Sequence, residues 1–510
     1  MLLFHHTAAA QQRYDFQWVM GNERVNGSLE ETLNTQYNFL QRPVGIDIVD
    51  SIDMIFYASR LSIADKTGHL LFTSNGCRIK DRFGELMENG DSLNPGPVHD
   101  FYCSIENDWN TYPSGFQSML ALPQPRNDST WYLLHHDAFR DNTTGDIYTP
   151  HTLLTTINAA GNNGLGTVTT KNQVLNDLPA NGQLTAGRSA DLSSWWIPVA
   201  ERASDRVNIY RLDSTGIELH HQQMIGLPIP DEYDAGYTAR FSPDGQTYAR
   251  FMPLEGIQVF DFDREAGTLS NFRFLSLGLT IDSTFWGGIE FSPSGRFLYL
   301  ATSYNLYQLD LEAPTLAEGL QLISTVTPTS DFFPEFFSTP QLGPDCRLYV
   351  FCISCDWVHV VHRPDEYGQD AMVELRAIQM PEFYFRSAPT FPKYRMRALG
   401  DTSSICDHVT ETIFINSTEE TANVGDLPIH VFPNPVFTEL KVIFPEALRD
   451  INWTVIDQLG RTIKTGKQET LPAQVALHLP FHDIPSGHYW VRMIDGAGRT
   501  WVRKVVKGRA

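Results

Sequence analysis

A proline turn recurs at a near-constant interval through the middle of this chain, and it restricts the fold more than any other feature. The segments FSPDGQTYARF (241–251), FSPSGRFLYLAT (291–302) and LGPDCRLYVFC (342–352) each place an apolar residue, a proline turn and an alternating strand in the same order. Their prolines, Pro243, Pro293 and Pro344, lie 50 and 51 residues apart. Proline presets φ at the first central position of the turn, and Gly245 and Gly295 suit the φ > 0 position that follows. Cys346 holds that position in the third copy, which predicts a slightly strained or differently shaped turn. A period of this size built from strands marks propeller blades. An array of β-sandwiches is the competing architecture, but it imposes no such period. Looser copies precede these: 64–76 with a turn at Thr67-Gly68, 125–137 turning at Asn127-Asp128, and 189–200 turning near Ser193-Ser194. The spacing predicts an all-β fold of six or seven four-stranded blades between residues 15 and 395, with Trp131, Trp195, Trp196 and Phe297 filling the space between blades. Helical periodicity is almost absent.

The pattern changes near residue 399. The stretch 399–427 is rich in Thr, Ser, Glu and Asp, offers little to bury and reads as a linker. PIHVFPNPVFTELKVIF then opens a new unit, its chain direction stiffened by Pro433 and Pro435, which fix φ and lack N–H donors. Alternating runs follow at 440–444, 451–463 (with a turn at Gln458–Gly460), 475–480, 487–494 and 499–507. Short strands at even spacing predict a small immunoglobulin-like β-sandwich over 428–510. Charge marks the same boundary. Residues 428–510 carry 11 Lys and Arg against 7 Asp and Glu, a net of +4, so the remainder of a chain of net charge −22 carries −26.

Two resemblances follow from these residues. The segments IADKTGHLLFTSNGCRIKDRFGELMENGDSLNPG (63–96), GLGTVTTKNQVL (164–175), SSWWIPVA (193–200), VFDFDREAGTLS (259–270), LYQLDL (306–311) and SICD (404–407) resemble, in order, a WD40-like β-propeller family of secreted Bacteroidetes proteins. The family implies no common catalytic activity. ADLS (190–193) departs from its pattern, where members often have a His-Gly-like approach to the Trp-Trp strand. The final unit resembles the type A C-terminal sorting domain of the type IX secretion system, through FPNP (432–435), DQLGR (457–461), IPSGHYWVRM (484–493) and the basic strand VRKVVK (502–507). The bland alternative is an accessory immunoglobulin-like domain. The resemblance implies sorting-signal roles for Pro433, Asn434, Pro435, Gly460, Arg461, Gly487, Tyr489, Arg503, Lys504 and Lys507. It also implies passage through the periplasm, the type IX translocon and a sortase-like protease as partners, and tail removal within 411–428. Secretion or display on the outer-membrane surface is then expected. Under that reading, MLLFHHTAAAQQ, with residues 1–14, is the remnant of a truncated signal peptide, although it lacks a basic n-region and a full apolar stretch. The expected domains are 1–14, propeller 15–398, linker 399–427 and sorting sandwich 428–510.

Strong negative charge argues against nucleic acid as a partner, since phosphates would be repelled. No apolar run approaches the roughly 18 residues of a membrane span. Six cysteines, Cys77, Cys103, Cys346, Cys352, Cys355 and Cys406, permit disulfides in an exported protein without fixing their pairing. Cys352 and Cys355 form a CxxC within a strand-like run, but no second CxxC completes a zinc site, so a disulfide or buried thiols is the reading. No HExxH, GxSxG or P-loop is present, and no catalytic residue, metal or cofactor is assigned. GNNGLG (161–166) reads as a blade turn rather than a nucleotide loop. His135 and His136 fall on opposite faces of a strand and read as structural, as do His359 and His362. Asp261, Asp263 and Arg264 read as a strand-end turn with surface ion pairing. Two functions stay open. One is a binding or scaffold module for a protein, peptide or glycan, contacted through loops such as 82–100 and 138–150. The other is an extracellular hydrolase or lyase with acids or histidines at the channel mouth.

Overall fold

A computed structural model describes residues 12–406 and 430–507 apart from 25–31, 42–43, 50, 57–59, 105–109, 142, 144–146, 181, 229–237, 253, 279–286, 328–334, 354, 385–388, 402–404, 433–435, 437, 445, 458–460, 474, 486 and 498. The chain divides into two compact units, 1–409 and 410–510.

Among the described residues the first unit is a ring of seven antiparallel sheets, here blades 1–7: residues 17–49, 61–81, 119–177, 187–224, 238–275, 287–325 and 336–384, with a separate two-stranded ribbon, Phe139–Arg140 with Ile147–Tyr148, inserted in blade 3. Blades 1 and 2 show three strands among the described residues, and the other five show four. Strand character follows burial from the inside outward. In blade 5 the inner strand Thr238–Phe241 is wholly buried, whereas in the outer strand Thr268–Leu275 only Leu269 is buried and the rest are partly or fully exposed. The turns behave as their chemistry requires. Gly245 and Gly295 sit at φ 73° and 81°, and Cys346 takes the same left-handed conformation at φ 63°. The third turn therefore keeps the shape of the others, with the strain of a side chain at positive φ. Blade 3 turns at Pro125–Arg126, with Arg126 at φ 68°, two residues before the Asn127-Asp128 expected. GNNGLG joins two strands of blade 3, with Asn162 and Asn163 both at positive φ.

Neighbouring blades are joined by side chains. Trp131 of blade 3 meets Phe72 of blade 2 edge-on, at 5.7 Å between ring centres. The Trp195 indole of blade 4 donates to the Pro123 carbonyl of blade 3 at 3.1 Å, and the Trp196 indole reaches the Arg264 carbonyl of blade 5 at 2.9 Å. Trp18 of blade 1 packs against Tyr349 and Phe351 of blade 7, which closes the ring. Blade 1 is drawn wholly from the N-terminal part of the chain and blade 7 wholly from its C-terminal part. No described strand is exchanged across the join.

Among its described residues the second unit is a seven-stranded sandwich. One sheet orders His430–Phe432, Glu439–Ile443 and Ala476–Pro480; the other orders Thr462–Leu471, Leu448–Asp457, Gly487–Ile494 and Thr500–Lys507. Its core is Val436, Leu440, Val442, Phe444, Ile451, Val455, Leu479, Phe481, Val491, Met493, Trp501, Val505 and their neighbours.

Candidate functional site

The centre of a propeller is the natural place to look for a site, because seven inner strands converge there. Here it is filled. After blade 7 the segment 389–397 crosses the middle of the ring and touches most blades in turn. Lys393 pairs with Glu290 of blade 6, which also accepts from Arg240 of blade 5 at 3.2 Å. The Tyr394 hydroxyl donates to the Ala121 carbonyl of blade 3 at 2.5 Å, and its ring meets Trp195 of blade 4. Arg395 binds Asp15, just before blade 1, at 2.9 Å and the Pro344 carbonyl of blade 7 at 3.3 Å. Met396 packs among Trp196, Phe241 and Tyr248. A proline at 389 and another at 392 hold this stretch out of helix and sheet.

The charges in this plug are almost entirely shielded. Glu290, Arg240 and Lys393 are 0 %, 1 % and 9 % exposed. Burial pulls both cations down from their ordinary values, and the Glu290 carboxylate opposes that pull. Glu290 also accepts from the Phe291 amide at 2.9 Å, so its charge is met on several sides. The void beside the plug holds only about 10 Å³.

Among the described residues, two clefts lie where the plug meets the proline turns. One, of about 590 Å³, is bordered by Asp244, Ser294, Asp365, Glu366, Arg397 and Asp401. The other, of about 450 Å³, lies beside Tyr14, Lys66, Arg126, Arg188 and Tyr394.

The structure pairs all six cysteines: Cys77–Cys103, Cys346–Cys406 and Cys352–Cys355. The second bond ties the chain to the propeller as late as residue 406, where Ile405 and Cys406 pack on Leu342. Glu335, Cys352 and His359 are buried with potential ligand atoms within 4.8 Å of one another. They do not fit a metal ion. Cys352 is spent in its disulfide, Glu335 receives Arg376 at 2.7 and 2.9 Å, and His359 Nδ1 accepts the Arg376 amide at 3.0 Å.

His135, His136 and His359 are buried and hydrogen-bonded within the blades. His135 lies between Asn94 at 2.6 Å and Thr155 at 2.9 Å, and His136 Nδ1 accepts the Gly182 amide at 3.2 Å. Desolvation pushes His135, His136 and His359 down to about 3. His362 lies at the surface against Glu374. Arg264 requires a correction. Asp261 does form a surface pair with Arg273, and Asp263 caps its turn through the Glu265 amide, but Arg264 is 3 % exposed. Its guanidinium donates to the carbonyls of Arg188, Ser189, Asp244 and Arg397, stitching two blades to the plug. Loop 82–100 is held against blade 3 by Lys171, which reaches Asn89 and Asp91, and by Asn172, which reaches Ser92 and Asn94.

Of the sorting-signal residues, Pro433, Asn434, Pro435 and Gly460 lie outside the described residues. Five others share two adjacent strands: Gly487 stands opposite Lys507, Trp490 opposite Lys504 and Val491 opposite Arg503. Tyr489 is a core residue whose hydroxyl donates to the Pro485 carbonyl at 2.9 Å. Arg503 and Arg461 are exposed, and Lys507 is buried.

Seven blades around a filled centre, followed by a self-contained sandwich, define a β-propeller protein with a C-terminal accessory domain. Residues 430–508 match the secretion system C-terminal sorting domain family, which gives that accessory domain its role. The chain is thus an exported propeller bearing a type IX sorting tail. It is directed to the cell surface or medium and engages the secretion machinery through that tail. No curated protein matches the chain. Solved propellers resemble it faintly. The Cps50 (Swd1) propeller of Myceliophthora thermophila has 14% identity, covers 65% of this chain and 93% of its own, and has a TM-score of 0.35. A Bacteroides fragilis protein provisionally assigned as a 6-phosphogluconolactonase has 10% identity, 74% and 99% coverage and a TM-score of 0.39. The Dos1 propeller has 14% identity, 63% and 72% coverage and a TM-score of 0.32. The fold rests on the sheets themselves, not on these likenesses. No helix among the described residues is long and apolar enough to cross a membrane.

Proposed function

We propose that the exported propeller is a binding or scaffold module for a protein, peptide or glycan, with recognition at its rim loops and turn-face clefts. The observation that carries this is the plug. A hydrolase or lyase at the channel mouth needs ionisable groups open to substrate, whereas Glu290, Asp15, Lys393 and Arg395 are buried and paired with one another or with Arg240. We further propose that residues 428–510 are read by the type IX translocon and removed by a sortase-like protease within 411–428. The Cys346–Cys406 bond lies just before that stretch and would keep the released propeller's end tied down.

The test is delivery and binding together. The chain, led by a functional signal peptide, is expressed in a host with the secretion system, with and without 428–510. Loss of surface delivery on deletion, and a new C-terminus within 411–428 by mass spectrometry, are expected; undiminished delivery would defeat the sorting role. A glycan and peptide array probed with the tail-less propeller should give retained ligands. Turnover of arrayed substrates would defeat the non-enzymatic reading.

A further inference from the structure

The cleft of about 450 Å³ holds a cation that the fold leaves without a counter-charge. Arg188 is 6 % exposed. Its guanidinium stacks 3.6 Å from the centre of the Trp195 ring and donates to the Gln12 amide oxygen at 2.7 Å. Among the described residues no carboxylate lies within 4 Å of it, and residues 1–11 include no acid. The other deeply buried arginines near the plug are met more fully: Arg240 by Glu290, Arg395 by Asp15 and two carbonyls, and Arg264 by four carbonyls, whereas Arg188 has the single Gln12 amide oxygen and the Trp195 face. Burying a charge unpaired is costly, so such an arginine points to a partner that arrives from outside. Burial draws Arg188 down to about 10, partly offset by Tyr14 and Tyr394, and that value still leaves it charged at neutral pH.

The rest of the cleft agrees. Arg126 stands exposed at the rim with no hydrogen bond or ion pair to a described residue. The turn fixes its backbone at φ 68°. Tyr14 lines the same space, and its hydroxyl makes no hydrogen bond to a described residue; burial keeps that phenol protonated and able to donate. Lys66 and Asp128 pair with each other at 2.8 Å and so cancel. The balance is positive, in a region that otherwise carries a net −26. The volume lies within the range of small-molecule sites.

We propose that this cleft binds an oxyanion, a carboxylate or phosphate-type group of the propeller's ligand, with Arg188 as the buried anchor, Arg126 as the rim cation and Tyr14 as a hydroxyl donor. The guanidinium fork suits two oxygens of one such group. This rests on the binding-module reading and names the ligand's chemistry.

Titration calorimetry of the oxidised full chain with glucuronate, inorganic phosphate and sulfate tests it. Saturable binding of at least one probe is expected, weakened about tenfold or more by Arg188→Gln and a few-fold by Arg126→Ala, and weakened further by added salt. Preference for glucuronate would identify a carboxylated saccharide, and preference for phosphate or sulfate an esterified ligand. Failure of all three to saturate, or equal affinity in Arg188→Gln, would overturn the proposal. Should Arg188→Gln not fold, as judged by its melting curve, Arg126→Glu carries the test: its affinity must fall, and unchanged affinity overturns the site. Array ligands retained equally by wild type and Arg126→Glu would leave the binding-module reading standing while this site fails.

Discussion

The propeller and the sandwich solve the burial problem in opposite ways. The sandwich core is apolar from edge to edge, and among its described residues Asp495 and Lys507 are the buried charged side chains. Asp495 is met by Arg499 at 2.8 Å. The sandwich unit contains no cysteine. The propeller buries Glu290, Asp15, Arg240, Lys393, Arg395, Arg264 and Arg188 about its centre and carries all three disulfides. A small unit packed by Leu, Val, Phe and Trp depends on neither a disulfide nor a matched set of charges. A seven-bladed ring has a hollow centre to fill, and here the segment that follows blade 7 fills it. Ion pairs fix which residue meets which blade, at an energetic cost that the apolar sandwich avoids.

The contrast is testable, beginning with its largest expected effect. His135, His136 and His359 stay neutral in the fold down to about pH 3. In the unfolded chain such imidazoles take up protons near pH 6.5. The stability they contribute is complete above that value and is lost as the pH falls from about 6.5 toward 3. By pH 5 the loss should be on the order of 2 kcal/mol for each histidine. Thermal melts at pH 7 and pH 5 should therefore show a large fall for the propeller.

Glu290→Gln comes next. It leaves Arg240 and Lys393 buried with no anion between them, at a cost of about 3–5 kcal/mol to the propeller, read from denaturant midpoints. The sandwich transition should not move. Reduction follows: opening Cys346–Cys406, which closes 60 residues, and Cys77–Cys103, which closes 26, should lower the propeller by about 2–4 kcal/mol per bond. The smallest stability effect is Arg503→Ala. This exposed position should change sandwich stability by no more than about 0.5 kcal/mol, while surface delivery measured by cell fractionation falls. Unchanged delivery would remove Arg503 from the sorting signal.

Much of this architecture was legible because it is local. The turns at Pro243, Pro293 and Pro344 announce three successive blades, and the alternation at 487–494 and 499–507 announces two paired strands. Blade 1 was harder to see, since its strands 17–24 and 32–38 are joined without a proline turn. The strand Thr462–Leu471 is nearly all polar and exposed, so it carries no alternation to read. The plug was invisible for a different reason. The signal in PTFPKYRMR (389–397), aromatic and basic residues between prolines, looks like surface when read locally. Its partners lie 103 residues away for Lys393, 273 for Tyr394 and 380 for Arg395. Arg264 escaped likewise, because carbonyl oxygens of distant blades leave no mark in sequence. Arg188 could have been noticed as a cation seven residues before a tandem tryptophan, a spacing open to cation–π stacking only once the turn between them is known.

The central claim is that the tail is an autonomous fold whose stability owes nothing to the disulfide-tied ring. Differential scanning calorimetry of the full chain, with and without reductant, beside a fragment of residues 410–510, tests it most directly. The expected result is two transitions, one shifted down by reductant and one unmoved and matched by the fragment. A single transition that shifts as a whole, or a fragment that gives no transition, would contradict it.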